Sequence, residues 1–207
     1  MITKSEIGQE AWPPSVLRSV SMMRNSFDEK QPLTMDVLRY GIGKSELGTV
    51  LVASGNAGAV AVLIGGSKSE VELDLQTRFR RFKLVHDQSS QKPFVDEVIS
   101  YIRSPHKNVE FKVDLRGTPF QRKVWQAVMR IPFGETKTYA TIAEEIGHGK
   151  AVRAVGAACT VNPYAFVVPC HRVLHSNPVL SFGHKRGNDR MRPMVLREQN
   201  AKSKLGR

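Results

Sequence analysis

The sequence predicts an α+β fold in which a small β-sheet domain, carrying a helix, precedes a mostly helical domain. Three observations support this prediction. Residues 36–66 hold short β-branched runs between glycines, residues 118–159 repeat apolar side chains at helical spacing, and the pattern breaks between them at residues 104–108. With 207 residues and 41% apolar content, the chain can bury a core of ordinary size.

The first half is predicted to contain a tail and a scaffold domain. Residues 1–33 are polar, contain prolines and show no sustained period, which predicts a mobile N-terminal tail. The scaffold domain covers residues 34–111 and begins with a β-meander whose strands are joined by tight glycine turns. The later elements are, in order, a short amphipathic helix at 68–84, a helix through 94–102 and a strand from Val109 to Leu115.

The second domain is predicted to cover residues 112–200, with a basic tail at 201–207. It opens with a capping box, because Thr118 stands at the N-cap, Pro119 at the first helical position and Gln121 at the third. The helix ends before Gly134. Two short helices around a glycine turn then predict a helix-turn-helix, from Thr138 to Ile146 and from Lys150 to Cys159.

The second helix of that pair is built almost entirely from small side chains. Arg153 is the single long side chain between Ala151 and Cys159. A helix of this kind can enter a groove closely, with its N-terminal amides and Lys150 against phosphates and Arg153 beside a displaced base. A tightly packed core helix would show the same small-residue pattern.

Charge is concentrated in the second half of the chain. Residues 1–111 carry 14 basic and 13 acidic side chains, whereas residues 112–207 carry 17 and 6, and the whole chain has a net charge of +12. A basic half of this kind favours a polyanionic partner such as nucleic acid. A solubilising surface is the alternative explanation.

Cys170 is the candidate nucleophile. It lies between Pro169 and His171, and neighbouring cations or a histidine lower a thiol pKa and so favour the reactive thiolate. A buried, inert cysteine is the alternative. Two cysteines in all cannot form a set of disulfides or a four-cysteine zinc site, so no metal is predicted. No apolar run of 18 residues and no secretory signal are present, which favours a cytoplasmic protein away from membranes.

Five ordered motifs together resemble the O6-alkylguanine-DNA alkyltransferase family. The resemblance is dense over residues 114–198 and looser over the strands at 36–66. The motifs are Asp114-Leu115-Arg116-Gly117-Thr118-Pro119-Phe120-Gln121, Val124-Trp125-Gln126-Ala127, Ile131-Pro132-Phe133-Gly134-Glu135-Thr136, Ala151-Val152-Arg153-Ala154-Val155 and Pro169-Cys170-His171-Arg172-Val173.

The resemblance implies direct and irreversible repair. The cysteine takes the alkyl group from O6 of guanine or O4 of thymine and keeps it, with no cofactor and one turnover per molecule. It implies that Glu198 orients His171, that His171 reaches the Cys170 thiol through a water, and that Asn162 joins the helix-turn-helix to the active-site strand. Without the resemblance, Glu198 would be interpreted as a solvated charge and Asn162 as a loop-stabilising residue.

The resemblance also implies how DNA is handled. A monomer binds alkylated duplex through the minor groove, independently of sequence, and flips the damaged base out of the stack. The first domain would be ribonuclease H-like and the second a winged helix-turn-helix-like domain. The implied base-pocket residues are Tyr139, Val173, Ser181 and Phe182, and the implied DNA-binding residues are Arg153, Lys150, Ala151, Thr138 and Arg172.

One segment departs from the family pattern. Residues 181–187, where relatives carry a tyrosine-containing loop, are one residue longer here, and Phe182 would replace the tyrosine ring. This change leaves open a non-repairing sensor that binds alkylated DNA but transfers nothing. A cysteine hydrolase is a further alternative from another class, although the sequence shows no oxyanion hole.

Overall fold

The computed structural model describes residues 37–105, 111–176 and 188–205, with side chains only for 192–204 in the last range. The predicted tail at 1–33 and the loop at 181–187 lie outside the described residues. The architecture is α+β, as predicted. No helix of the described ranges is long and apolar enough to cross a lipid bilayer.

The first domain is a four-stranded sheet between two helices. Strands β1 (Val37–Ser45), β2 (Gly48–Gly55) and β3 (Gly58–Gly65) form the predicted antiparallel meander. Helix α1 (Lys68–Arg78) follows, and β4 (Lys83–His86) then pairs in parallel with β1, giving the order β3-β2-β1-β4. The helix expected over 68–84 therefore ends at Arg78, and its last residues form a strand instead.

Alternation along the strands creates two cores. Val50, Val52 and Val62 face helix α2 (Gln88–Arg103), whereas Leu51 and Leu63 face α1. Successive strand residues point to opposite faces of a sheet, so helices can cover both. The core on the α2 side continues into the second domain and joins the two halves.

The expected strand from Val109 to Leu115 is reduced to a single bridge among the described residues. Val113 pairs in parallel with Ala59 at the outer edge of β3. Ala59 donates to the Lys112 carbonyl oxygen at 2.8 Å and accepts from the Asp114 amide at 2.8 Å. The linker is thus attached to the first sheet but adds no full strand to it.

The second domain contains the predicted helices and one additional strand pair. Helix α3 (Pro119–Met129) begins at the Thr118–Gln121 capping box, and α4 (Tyr139–Glu145) and α5 (Val152–Thr160) pack together around a turn at Gly147. Strand β5 (Lys137–Thr138) pairs in parallel with β6 (Val173–Leu174). Helix α6 (Asn188–Leu205) completes the domain and includes the first five residues of the expected basic tail.

Candidate active site

The segment that leads to Cys170 is held against the edge of the first sheet. Val62 of β3 donates to the Pro163 carbonyl oxygen at 2.7 Å and accepts from the Ala165 amide at 2.9 Å. The buried Tyr164 hydroxyl donates to the Asp114 carbonyl oxygen at 2.8 Å. These contacts fix the backbone before the cysteine from two sides.

Phe166 has an unusual backbone conformation within this segment. Its φ of 68° is in the left-handed region, which costs a non-glycine residue roughly 1–3 kcal/mol. The ring is buried, and its centroid lies 5.9 Å from that of Tyr101 and 5.8 Å from that of His171. Packing around the ring therefore holds a strained backbone immediately before the active residues.

Cys170 begins a single 3₁₀ turn, Cys170–Arg172, and its side chain is partly exposed. The Asn162 amide nitrogen donates to Sγ at 3.2 Å and to the Val168 carbonyl oxygen at 3.0 Å. The Asn162 oxygen accepts from the Tyr164 amide at 2.9 Å. Asn162 is therefore oriented by the backbone and presents a donor to the sulfur.

The Cys170 thiol is held in its neutral form in the free protein. Contact with the Cys159 thiol on α5, together with burial, raises the pKa of Cys170 well above its ordinary value, and the Asn162 hydrogen bond opposes this rise. The direction is opposite to that expected from the adjacent histidine and arginine. The Arg172 guanidinium is bound to Glu198 and to the Ile131 carbonyl oxygen, so it does not offset the effects of Cys159 and burial. Formation of the thiolate therefore requires a base.

Glu198 of α6 is the centre of a buried hydrogen-bonded array. Its Oε1 lies 2.6 Å from His171 Nε2 and accepts from the Tyr101 hydroxyl at 2.7 Å. Arg172 Nε donates to Oε2 at 2.8 Å, and the Gly134 amide donates to Oε2 at 3.2 Å. Burial favours the protonated acid, but hydrogen bonds from His171 and Arg172, together with the charge of Arg172, outweigh it and lower the pKa of Glu198.

This array selects one tautomer of His171. Burial lowers the pKa of His171, partly offset by Glu198, so the ring is neutral near pH 7. A neutral ring beside the Glu198 carboxylate carries its proton on Nε2, and Nδ1 then holds the lone pair. Nδ1 is buried and has no hydrogen-bond partner among the described residues. The residue after the cysteine is therefore prepared to accept a proton at Nδ1.

The β5–β6 pair brings Tyr139 to the same region. Register partners Lys137 and Val173 place the start of α4 beside the residues after Cys170. Tyr139 is buried, and its ring meets the exposed His175 ring edge-on with centroids 5.1 Å apart. Thr138 caps α4 by accepting from the Thr141 amide at 3.0 Å.

Helix α5 presents a bare outer surface. Arg153, Ala154 and Ala157 are exposed, as is Lys150 before the helix, whereas Ala151 is half-buried. Space around Gly156 is open, because an added Cβ would meet nothing within 4 Å. The small residues on the outer face of α5 therefore leave room for another molecule to approach the helix backbone closely. On the inner face, Val155 and Ala158 are buried and pack against the core.

Comparisons with known proteins agree with this geometry. A family profile described as the DNA binding domain of 6-O-methylguanine DNA methyltransferase matches residues 119–200. The inducible methylated-DNA–protein-cysteine methyltransferase of Bacillus subtilis is 36% identical over 147 residues, which are 70% of this chain and 82% of that protein. The chain belongs to the methylated-DNA–protein-cysteine methyltransferase family.

Further members and structures are similar over most of the chain. The bifunctional transcriptional activator and DNA repair enzyme Ada of Escherichia coli is 37% identical over 161 residues, 78% of this chain, which spans only 45% of Ada. The crystal structure of the Mycobacterium tuberculosis O6-methylguanine methyltransferase has a TM-score of 0.66 at 28% identity, covering 79% of this chain and 94% of that one. A structure of the M. tuberculosis protein in complex with DNA has a TM-score of 0.64 at 30% identity, with the same coverage.

In this methyltransferase-family chain, the structure brings together most of the residues assigned by sequence. Asn162 with Cys170, and His171 with Glu198, form two hydrogen-bonded pairs that adjoin along the chain. The β5–β6 pair brings Val173 and the start of α4, with Tyr139, beside them. Arg172 differs from its assignment to DNA: it is buried, and its guanidinium is bound by Glu198 and by the Ile131 carbonyl oxygen at 2.8 Å. The pocket residues Ser181 and Phe182 lie outside the described residues.

Sequence reasoning missed four contributors to the site: Tyr101, Gly134, Cys159 and His175. Tyr101 comes from the first domain and lies 97 residues from its partner Glu198, so no local pattern indicates it. The sequence places Gly134 at the end of a helix and within a family motif, and Cys159 at the end of another helix, but indicates no contact of either with the site. The aromatic contact of His175 with Tyr139 depends on the β5–β6 pairing. Strands of two residues are too short to give a recognisable sequence pattern.

Proposed function

We propose that this chain repairs duplex DNA directly by moving a methyl or other alkyl group from O6 of guanine, or O4 of thymine, to Cys170. The observation that carries this proposal is the contact of His171 Nε2 with Glu198 at 2.6 Å, which leaves Nδ1 without a partner among the described residues, next in sequence to a thiol held by Asn162. A lone-pair nitrogen at Nδ1 and a neutral thiol are the two partners that general-base activation requires. The names of the related proteins support transfer in preference to a sensor that only binds.

The proposed step is a displacement at the alkyl carbon. His171 Nδ1 takes the thiol proton, through a water, as the S–C bond forms and the O6–C bond breaks. The electron pair of the broken bond stays on guanine, which takes a proton from the Tyr139 hydroxyl, and the imidazolium proton returns to the tyrosine through solvent. Glu198 stabilises the transient imidazolium, and Arg172 holds the Glu198 carboxylate in place. The product thioether does not release its methyl, so each molecule acts once.

DNA would be bound from the minor-groove side by the helix-turn-helix. Arg153 on the bare face of α5 would fill the space left by the flipped base, and Lys150, Ala151 and Thr138 would meet the backbone. Carbonyl oxygens of Cys170 and Val173 would accept from the guanine amino group. This mode suits a monomer that recognises damage without reading sequence, and it fits a winged helix-turn-helix-like domain on a ribonuclease H-like scaffold.

The test is intact-mass and peptide mass spectrometry after mixing the protein with a duplex that holds one O6-methylguanine. We expect one methyl group on Cys170, saturating at one per molecule. Cys170→Ser should bind the duplex and gain no methyl, whereas the matched Cys159→Ser should still gain one. Tight binding by the unaltered protein with no mass change would establish the sensor instead, and methylation of Cys170→Ser would refute the assigned nucleophile.

A further inference from the structure

The first domain carries a concentrated basic segment between α1 and β4. Arg78, Arg80, Arg81 and Lys83 stand within six residues, and residues 75–86 contain no acidic side chain. Outside this segment, residues 1–111 carry 10 basic and 13 acidic side chains, so the rest of the first half is slightly acidic. We call residues 78–83 the basic turn.

The basic turn is attached to the second domain at two points. Arg78 Nη1 donates to the Val161 carbonyl oxygen at 2.8 Å, and its Nε is bound by Asp74 at 2.8 Å. The Arg116 guanidinium carbon lies 5.1 Å from the centre of the Phe82 ring. Because Val161 is the C-cap residue of α5, the turn is held beside the C-terminal end of that helix.

Helix α5 has no cation of its own at that end. Arg153 is the only long basic side chain among its nine residues and stands in its first turn. The helix is about 13 Å long, whereas duplex DNA carries a negative charge about every 1.7 Å along its axis. Phosphates near the C-terminal end of α5 would therefore lie against the small side chains of the helix and close to the basic turn.

Besides Lys83, which is also exposed, Arg80 and Arg81 are the side chains of the basic turn available to meet them. Both are exposed, and neither forms an ion pair or hydrogen bond with another residue in the described ranges. The turn that carries them is closed by the Phe82 amide donating to the Phe79 carbonyl oxygen at 3.0 Å, and the Phe79 and Phe82 rings pack edge-on. Two unpaired guanidinium groups are thus presented from a fixed backbone next to the proposed DNA-binding helix.

We infer that Arg80 and Arg81 of the basic turn bind the phosphate backbone of DNA beside the C-terminal end of α5. Arg78 is a positioning residue in this arrangement, since its own guanidinium is used by Asp74 and Val161. The first domain then contributes to affinity as well as supporting the active site. This role rests on the proposed function, because it requires the chain to bind duplex DNA.

The first experiment measures binding of a fluorescent duplex by anisotropy at several KCl concentrations. Arg80→Gln/Arg81→Gln is compared with Lys44→Gln/Lys92→Gln, which removes the same charge from exposed positions. Lys44 lies seven residues along β1 from Val37, the register partner of Lys83, roughly 23 Å away along the strand. For Arg80→Gln/Arg81→Gln we expect an affinity about tenfold weaker. The plot of log affinity against log KCl concentration should have a slope shallower by about 1.8, because two phosphate contacts are lost.

The loss should be equal for damaged and undamaged duplex, since phosphate contacts carry no base information. The Lys44/Lys92 pair should keep the slope of the unaltered protein. A basic-turn variant with that same slope would overturn the inference. Methyl transfer to Cys170 at saturating duplex serves as the separate readout. If the unaltered protein neither binds DNA nor transfers, the proposed function fails; if it does both and only the slope prediction fails, the basic turn alone is excluded.

Single neutral methylphosphonates placed along the duplex locate the contact. At one or two positions, the neutral group should weaken DNA binding by the unaltered protein. It should leave the affinity of Arg80→Gln/Arg81→Gln unchanged, because the partner of that phosphate is already missing. If every neutral phosphate weakens both proteins equally, the basic turn contacts none of them. Equal thermal midpoints for the proteins show that the exposed substitutions leave the fold intact.

Discussion

A single carboxylate, that of Glu198, controls both charge and geometry in the site. It is buried and accepts hydrogen bonds from a tyrosine, an arginine, a histidine and a backbone amide. Arg172 neutralises it at close range, so the histidine can remain neutral and keep its lone pair at Nδ1. A buried ion pair is stable only when its remaining hydrogen-bonding positions are filled, which is the condition met here.

Glu198→Gln should therefore lower both the free energy of unfolding and the transfer rate much more than a surface change of the same type. The amide cannot carry the charge that Arg172 requires, and leaving a buried charge unpaired costs roughly 3–5 kcal/mol. Urea unfolding should show that loss, and single-turnover methyl transfer should slow at least tenfold. Glu135→Gln on the exposed pair with Lys202 is the control and should cost under about 1 kcal/mol. Equal unfolding midpoints for both variants would contradict this account of Glu198.

The site residues differ in how far sequence could identify them. Cys170 and His171 follow from a local motif, and Glu198 follows only from the family resemblance, since a glutamate in a basic helix is ordinarily solvated. Tyr101 and the buried position of Arg172 depend on contacts across 97 and 26 residues. Such contacts are set by the packing of α2, α3 and α6, which no short pattern encodes.

At the scale of elements, the link between α3 and β5 depends on Gly134. Its φ is 70°, and an added Cβ would lie 2.9 Å from Lys202 Cβ and 3.2 Å from the Glu198 carbonyl oxygen. Its amide also donates to Glu198 Oε2. The glycine therefore provides both a left-handed turn and close contact with α6, so a side chain there would displace the helix that carries Glu198.

Gly134→Ala should lower both stability and transfer rate. Strain at positive φ costs roughly 1–3 kcal/mol, and the contact with α6 adds to it. Gly147→Ala is a matched control, because Gly147 has a φ of 75° but nothing within 4 Å of its Cβ position. Thermal unfolding and single-turnover transfer should show Gly134→Ala as the more harmful change, with slowed transfer confined to it. Similar losses in both would mean that strain alone matters.

Elements with strong local signals were predictable and short pairings were not. The capping box, the meander and the two helices around Gly147 follow from residue types at fixed spacing. Strands β4, β5 and β6 have four residues or fewer, and they form because partner strands are already in place. The strand expected at Val109 to Leu115 has the right residue types, but among its described residues it meets β3 only at one bridge.

For the whole molecule, stability should fall as the pH drops. Burial lowers the pKa of His171 below its ordinary 6.5, so the unfolded chain binds this proton more readily than the native one. The contribution is therefore present above pH 6.5 and is lost below it, by at most about 1.4 kcal/mol per pH unit. Glu198, with its pKa lowered from 4.5, adds a second loss below that pH. Urea unfolding from pH 8 downward should show the first loss, and His171→Gln should flatten the curve between 4.5 and 6.5.

We expect the two domains to unfold together, because buried contacts at the edge of β3 join them. Tyr164 is the test residue, since its fully buried hydroxyl donates to the Asp114 carbonyl oxygen and accepts from the Arg116 amide at 2.6 Å. Tyr164→Phe leaves the buried Asp114 carbonyl oxygen and the part-buried Arg116 amide without this partner. The cost is roughly 1–3 kcal/mol for the buried group and less for the amide. It also loosens the segment between Asn162 and Cys170, so transfer should slow in parallel.

Tyr40→Phe provides the matched change in the first domain alone. The Tyr40 hydroxyl is bound to Glu72 at 3.1 Å in a half-buried position, where water can replace it, so the loss should be about 1 kcal/mol or less. Thermal unfolding should remain a single transition in both variants and shift further down for Tyr164→Phe. Two separate transitions in Tyr164→Phe would show instead that the halves fold independently. Slowed transfer without lower stability would restrict Tyr164 to aligning the segment that carries Cys170.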